Sequence, residues 1–133
     1  MTDRSASCRC GQLRATVTGD PVRVSVCHCL NCKKRSGSAF AAQARWATAQ
    51  VHIDGRSKTF VMVADSGNSA TFHFCPDCGS DVYYENNGKF DDQIAIPLGA
   101  FDDPYFLSPR FSVWEERKHD WLEILGDEVE RFH

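Results

Sequence analysis

The chain has 133 residues, 42% hydrophobic and 25% charged, which suits one compact globular domain able to bury a core. A formal charge of -3 and a pI near 5.9 supply no field for nucleic acid or an anionic membrane, and no apolar stretch reaches the length of a bilayer span. One domain over residues 1–133 is therefore expected, with a core over about residues 7–127.

In chain order, the alternation Leu13-Arg14-Ala15-Thr16-Val17-Thr18 predicts a first strand, which Gly19-Asp20-Pro21 ends. Val22-Arg23-Val24-Ser25-Val26 alternates again and leads into Cys27. Ser36-Gly37-Ser38 signals a turn, and residues 39–46 are compatible with a strand or a short helix, with strand preferred. Residues 59–63, 70–74, 81–84, 94–96 and 111–114 carry β-branched and aromatic residues between Gly, Asn and Asp breakers, so each predicts a short strand. Helical content is expected only over the acidic stretch 120–132. The expected fold is mainly β, a single domain of short antiparallel strands stapled by zinc.

Seven cysteines fall into three clusters: Cys8 and Cys10; Cys27, Cys29 and Cys32; Cys75 and Cys78. Side chains at i and i+2 of an extended segment share a face, so Cys8 and Cys10 can reach one ion. Cys75-Pro76-Asp77-Cys78-Gly79 has the form of a zinc knuckle, with proline pre-setting the turn and glycine carrying the chain past the second sulfur. Structural zinc takes four ligands, so these two pairs are natural halves of one closed site. The remaining Cys27, Cys29 and Cys32 then supply three thiolates and an open position, the usual form of a reactive zinc. His28, between two of them, would point to the opposite face of an extended segment.

Two structural readings compete with the reactive one. A disulfide framework is disfavoured by the odd cysteine count and by a start, Met1 to Ser7, without the apolar run of a secretory signal, which points to a reducing, cytoplasmic setting. A second structural zinc, completed by His52, His73, His119 or His133, stays open.

These residues resemble the glutathione-dependent formaldehyde-activating enzymes and their centromere-protein-V-like relatives. The resemblance spans most of the chain. It rests on Cys8-Arg9-Cys10-Gly11, Cys27-His28-Cys29-Leu30-Asn31-Cys32, Arg35-Ser36-Gly37-Ser38-Ala39-Phe40, Phe74-Cys75-Pro76-Asp77-Cys78-Gly79 and Gly99-Ala100-Phe101-Asp102-Asp103-Pro104. It implies a β-tent fold, a structural zinc on Cys8, Cys10, Cys75 and Cys78, and a second zinc on Cys27, Cys29 and Cys32. It also implies carbon–sulfur lyase chemistry of the S-(hydroxymethyl)glutathione synthase type. Members often carry a histidine shortly after a proline near the C-terminus, where this chain reads Pro109-Arg110-Phe111-Ser112-Val113-Trp114, with Ser112 in its place.

Two zinc ions per chain are accordingly expected, with a small-molecule thiol and an aldehyde as partners. Three thiolates make a soft metal centre, better matched to a sulfur ligand than to hydroxide-based hydrolysis. Cys27, Cys29 and Cys32 are the candidate catalytic residues. The basic run Lys33-Lys34-Arg35 offers candidate contacts for the carboxylates of a glutathione-like thiol, although such a run on a turn is often only solvated charge. A proton donor is needed for the nascent alkoxide, and Ser36, Ser38, Lys33 and His73 are candidates. Phe40, Trp46, Phe72, Phe74, Tyr83 and Tyr84 are core or pocket residues, with Phe40 favoured for the pocket. The alternative function is a non-catalytic zinc-stapled binding module. A sulfoxide reductase type of redox enzyme is disfavoured because no cysteine is left outside the metal sites.

Overall fold

A computed structural model describes residues 3–64, 67–105 and 107–133. Its strands are β1 (Asp3–Ser7), β2 (Arg14–Thr18), β3 (Arg23–Cys27), β4 (Ala41–Ala47), β5 (Val51–Asp54), β6 (Lys58–Val63), β7 (Ser69–Phe74), β8 (Asp81–Asn87), β9 (Gln93–Pro97), β10 (Phe111–Val113) and β11 (Glu130–Arg131). One α-helix, α1 (Leu30–Ser36), joins β3 to β4. No described helix is long and apolar enough to cross a membrane.

The strands form two sheets, a small one in the order β1-β2-β5 and a large one in the order β11-β10-β3-β4-β9-β8-β7-β6. Alternation along β2 turns Ala15 and Val17 inward, and alternation along β4 does the same for Ala44 and Trp46. These side chains meet Leu13, Val82, Ile94, Ile96 and Phe101 in one apolar cluster that joins the two sheets. Trp46 is fully buried and its indole N–H donates to the Gly19 carbonyl at 3.2 Å, so the largest core side chain leaves no polar atom unpaired.

The mainly β architecture agrees with the expectation from the sequence, with three differences. Most pairings are antiparallel, but β10 runs parallel to both β3 and β11. β1 and β5 have no strong sequence signal, yet β2 holds both in register. Helix lies at residues 30–36 rather than in the stretch 120–132, which is turns and the two-residue β11. That acidic stretch is fixed instead by Arg131 Nη2 donating to the Ile124 carbonyl at 2.6 Å and by the Lys118–Glu123 pair.

Candidate metal centres and adjoining cavities

The two outer cysteine pairs come together although 65 positions separate Cys10 from Cys75. The sulfurs of Cys8, Cys10, Cys75 and Cys78 all lie within 4.8 Å of one another. Cys8 and Cys10 sulfurs are 3.6 Å apart, and those of Cys10 and Cys75 are 3.7 Å apart. A disulfide needs about 2.05 Å. Sulfurs on a tetrahedral zinc, each about 2.3 Å from the metal, stand about 3.8 Å apart, so this donor set fits zinc.

The surroundings supply positive dipoles to those sulfurs. The Leu13 N–H donates to Cys8 Sγ at 3.3 Å, and Gln12 Nε2 donates to Cys75 Sγ at 3.0 Å. Hydrogen bonding at Ser80, from its side chain and then its backbone, lowers the Cys78 thiol to about 5. Gln12 also accepts from the Arg56 N–H at 3.0 Å and donates to the Arg56 carbonyl at 2.8 Å, tying the loop after β5 to the sulfur cluster. Sequence reading missed Gln12, whose signal is limited to its place just after Cys8-Arg9-Cys10-Gly11.

The second group is Cys27, Cys29 and Cys32, again with sulfurs within 4.8 Å of one another. Strand β3 delivers Cys27, and the chain then turns into α1 with Cys29 as N-cap. The Cys29 sulfur accepts from the Cys32 N–H at 3.3 Å, a thiol version of the usual oxygen cap. Thiol hydrogen bonds from Cys27 and then Cys32, aided by the N–H groups of Cys32 and Asn31, lower Cys29 to about 2. The same hydrogen bonding to Cys29 pushes Cys27 in the opposite direction. Among the described residues no histidine or carboxylate joins this group.

His28 points away from the sulfurs, as its alternation predicts. It is fully buried, and its Nε2 lies 2.9 Å from Ser112 Oγ. Its backbone N–H donates to the Val113 carbonyl at 3.1 Å. Ser112, at the position where relatives often carry a histidine, thus packs against His28 on the strand beside β3 and lines neither cavity described below.

Two cavities flank α1. The larger, about 680 Å³, is lined by Cys8, Arg9, Arg35, Ser36, Ser38, Phe40, Ser80 and Asp102 among others. It adjoins the triplet through Arg35 and Ser36 of α1 and through Ala41, the register partner of Cys27. The smaller, about 450 Å³, is walled by Phe60, Met62, Phe72 and Phe74, with Asn31 and Lys34 above them. Arg35 and Asp81 line both cavities. Arg35 Nη1 donates to Asp81 Oδ2 at 2.6 Å, and the guanidinium lies 5.1 Å from the ring centres of Phe72 and Tyr84.

The three basic residues of α1 therefore part ways. Lys33 donates to the Arg117 carbonyl at 2.5 Å, Lys34 lines the smaller cavity, and Arg35 stands between the two. Of the aromatic candidates, Phe40 lines the larger cavity and Phe72 and Phe74 the smaller, whereas Trp46 belongs to the core. Tyr83 stacks on His73 with ring centres 4.1 Å apart. His73 is held by Ser57 at 3.0 Å and Glu85 at 2.7 Å and lines neither cavity.

A family model described as glutathione-dependent formaldehyde-activating enzyme matches residues 3–117. Among solved structures, the chain is similar to the crystal structure of a Rhodobacter sphaeroides protein, a structural genomics target. The TM-score is 0.61 at 15% identity, covering 97% of this chain and 99% of that one, a likeness of fold. Comparison with curated proteins found no match.

Proposed function

The chain belongs to the glutathione-dependent formaldehyde-activating enzyme family, and on that premise we propose that it is a zinc-dependent carbon–sulfur lyase. It reversibly adds a thiol such as glutathione to a small aldehyde such as formaldehyde. The observation that carries this reading is the three-sulfur group of Cys27, Cys29 and Cys32, which lacks a fourth protein ligand among the described residues and neighbours a large cavity lined by Arg35, Ser36 and Ala41. Those three residues would hold the metal and leave one position exchangeable, and zinc bound there supplies a soft Lewis acid matched to sulfur.

The rest of the chemistry falls to the chain. In the forward direction the thiol loses its proton, its sulfur forms a bond to the carbonyl carbon as the C=O π bond breaks and its electron pair moves onto oxygen, and that oxygen gains a proton, so the adduct holds every atom of thiol and aldehyde. Ser36 spends its hydroxyl hydrogen on the Cys32 carbonyl at 2.8 Å, and Lys33 is held by Arg117, so Ser38 is the better donor on the cavity wall. Arg9 and Arg35 bring guanidinium groups to that wall; Arg35 is already paired with Asp81 at 2.6 Å, so Arg9 is the one suited to a carboxylate of a tripeptide thiol. Phe40 supplies an apolar wall beside them.

The test is exchange NMR of formaldehyde, glutathione and their adduct at equilibrium, without protein, with the zinc-loaded chain, and with Cys29→Ser. Faster interconversion with the wild type alone is expected. Equal rates in all three samples would remove the formaldehyde assignment and favour a binding module.

A further inference from the structure

We propose that the smaller cavity is a binding site for a small carboxylate with an apolar body, such as a medium-chain or aromatic acid. This inference does not rest on the lyase reading.

The walls come from strand alternation. In the pairing of β6 with β7, Phe60 faces Phe72 and Lys58 faces Phe74, so Phe60, Met62, Phe72 and Phe74 share one face of the sheet. Helix α1 reaches that face through Asn31, Lys34 and Arg35, which line the gap together with the sheet residues. The gap left between them is about 450 Å³, within the usual range of small-molecule sites of roughly 300–1,000 Å³. Phe60 remains 59% exposed and Met62 39% exposed, an apolar surface without a partner at the edge of the large sheet.

Charge selects the ligand. The cavity is lined by two cations and one anion, Lys34, Arg35 and Asp81. Arg35 and Asp81 neutralise each other at 2.6 Å, which leaves Lys34 as an ammonium with no ion pair or hydrogen bond among the described residues. An apolar trough with one surplus positive charge at its rim matches a monoanion whose body is hydrocarbon. A flat protein partner fits less well, because Val61 and Val63, the other exposed apolar residues of β6, point to the opposite face and cannot extend the surface. A bound ligand would also brace α1, which carries Cys32 and Arg35.

The experiment is an amide NMR titration of the zinc-loaded full chain with octanoate, 1-octanol and acetate, with no thiol or aldehyde present. Octanoate should bind saturably and shift the amides of α1, β6 and β7. Octanol should bind about tenfold more weakly and acetate should not saturate. Lys34→Met, which keeps the apolar stem, should bring octanoate down to the level of octanol, and Met62→Asp should weaken both. The proposal fails if octanoate does not saturate or if octanol matches it. It also fails if the same amides shift with protein concentration alone and sedimentation shows a dimer that Met62→Asp dissolves, which would give the face to a second copy.

Discussion

Ser112 Oγ lies 2.9 Å from His28 Nε2, and both residues are fully buried. The serine hydroxyl donates to Glu115 Oε2 at 2.6 Å, so the histidine must be the donor in its own contact, with the proton on Nε2. His28 Nδ1 then carries a lone pair with no partner, and burial holds the ring below its ordinary pKa. The hydroxyl bridges His28 to Glu115, whose Oε2 also lies 3.7 Å from the imidazole Nε2. Ser112→Ala leaves Nε2 unpaired and should destabilise the protein by about 1–3 kcal/mol in urea unfolding. Ser112→His, which restores the residue common in relatives, should be worse, because a fully buried serine site has no room for an imidazole.

Removing one ligand from each sulfur group should have unequal consequences. Cys75→Ser opens the group that ties the segment before β2 to the turn before β8, so the protein should lose one zinc and its cooperative melting transition. Cys29→Ser removes one sulfur of the second group but disturbs only a seven-residue helix with no fully buried residue, so most of the melting transition should survive. Zinc content by mass spectrometry and circular dichroism against temperature read the two effects separately.

Gly55 couples the backbone to the closed group. Its φ is +98°, and a Cβ there would stand 2.0 Å from the Gln12 carbonyl oxygen. Gly55→Ala must push Gln12 away from Arg56 and from the Cys75 sulfur. A cost of about 1–3 kcal/mol is expected, together with faster zinc loss to a chelating dye. Gly67→Ala, at a similar φ of +88° with no atom of the described residues within 4 Å of the added carbon, should leave the rate of zinc loss unchanged.

Burial pushes the Asp81 carboxyl above its usual pKa, although Arg35 beside it pulls the other way. A raised native pKa means that the folded state binds this proton more tightly than the unfolded chain. Its contribution to stability is therefore full below about pH 3.8 and declines as pH rises through the native value. The stability of the wild type minus that of Asp81→Asn should fall with rising pH across that window and then level off. Acid loss of zinc is common to both proteins and cancels in the difference.

Much of the sheet was legible because residues such as Ala15, Val17, Ala44 and Trp46 alternate with polar neighbours, the period that a half-buried strand imposes. Helix α1 was not. It has no fully buried residue and the partly covered ones are Cys32, Lys33 and Arg35, so it leaves no apolar periodic pattern, and its ends are set by Cys29 as N-cap and Gly37 in the left-handed conformation at its C-terminus. Asp3–Ser7 is nearly all polar and forms a strand because β2 offers a paired edge. The cysteine groupings could be read from spacing, since four sulfurs at two short intervals have few ways to share one ion. Of the cavity residues, Arg9 and Asp102 sit inside motifs but with no signal for a shared cavity, and Ser80 and Asp81 belong to no motif; the fold brings them to one wall, where the Arg9 N–H donates to Ser80 Oγ at 3.2 Å.

The parallel pairing of β10 with β3 bears on how this chain is made. Synthesis runs from the N-terminus, so Cys27, Cys29 and Cys32 are all present before β4 exists, whereas Cys10 waits 65 residues for Cys75. His28 waits still longer, 84 residues, for the serine that covers it. A nascent chain therefore presents its three-thiol cluster to the surrounding metal pool first, and the cluster that staples the fold is completed last.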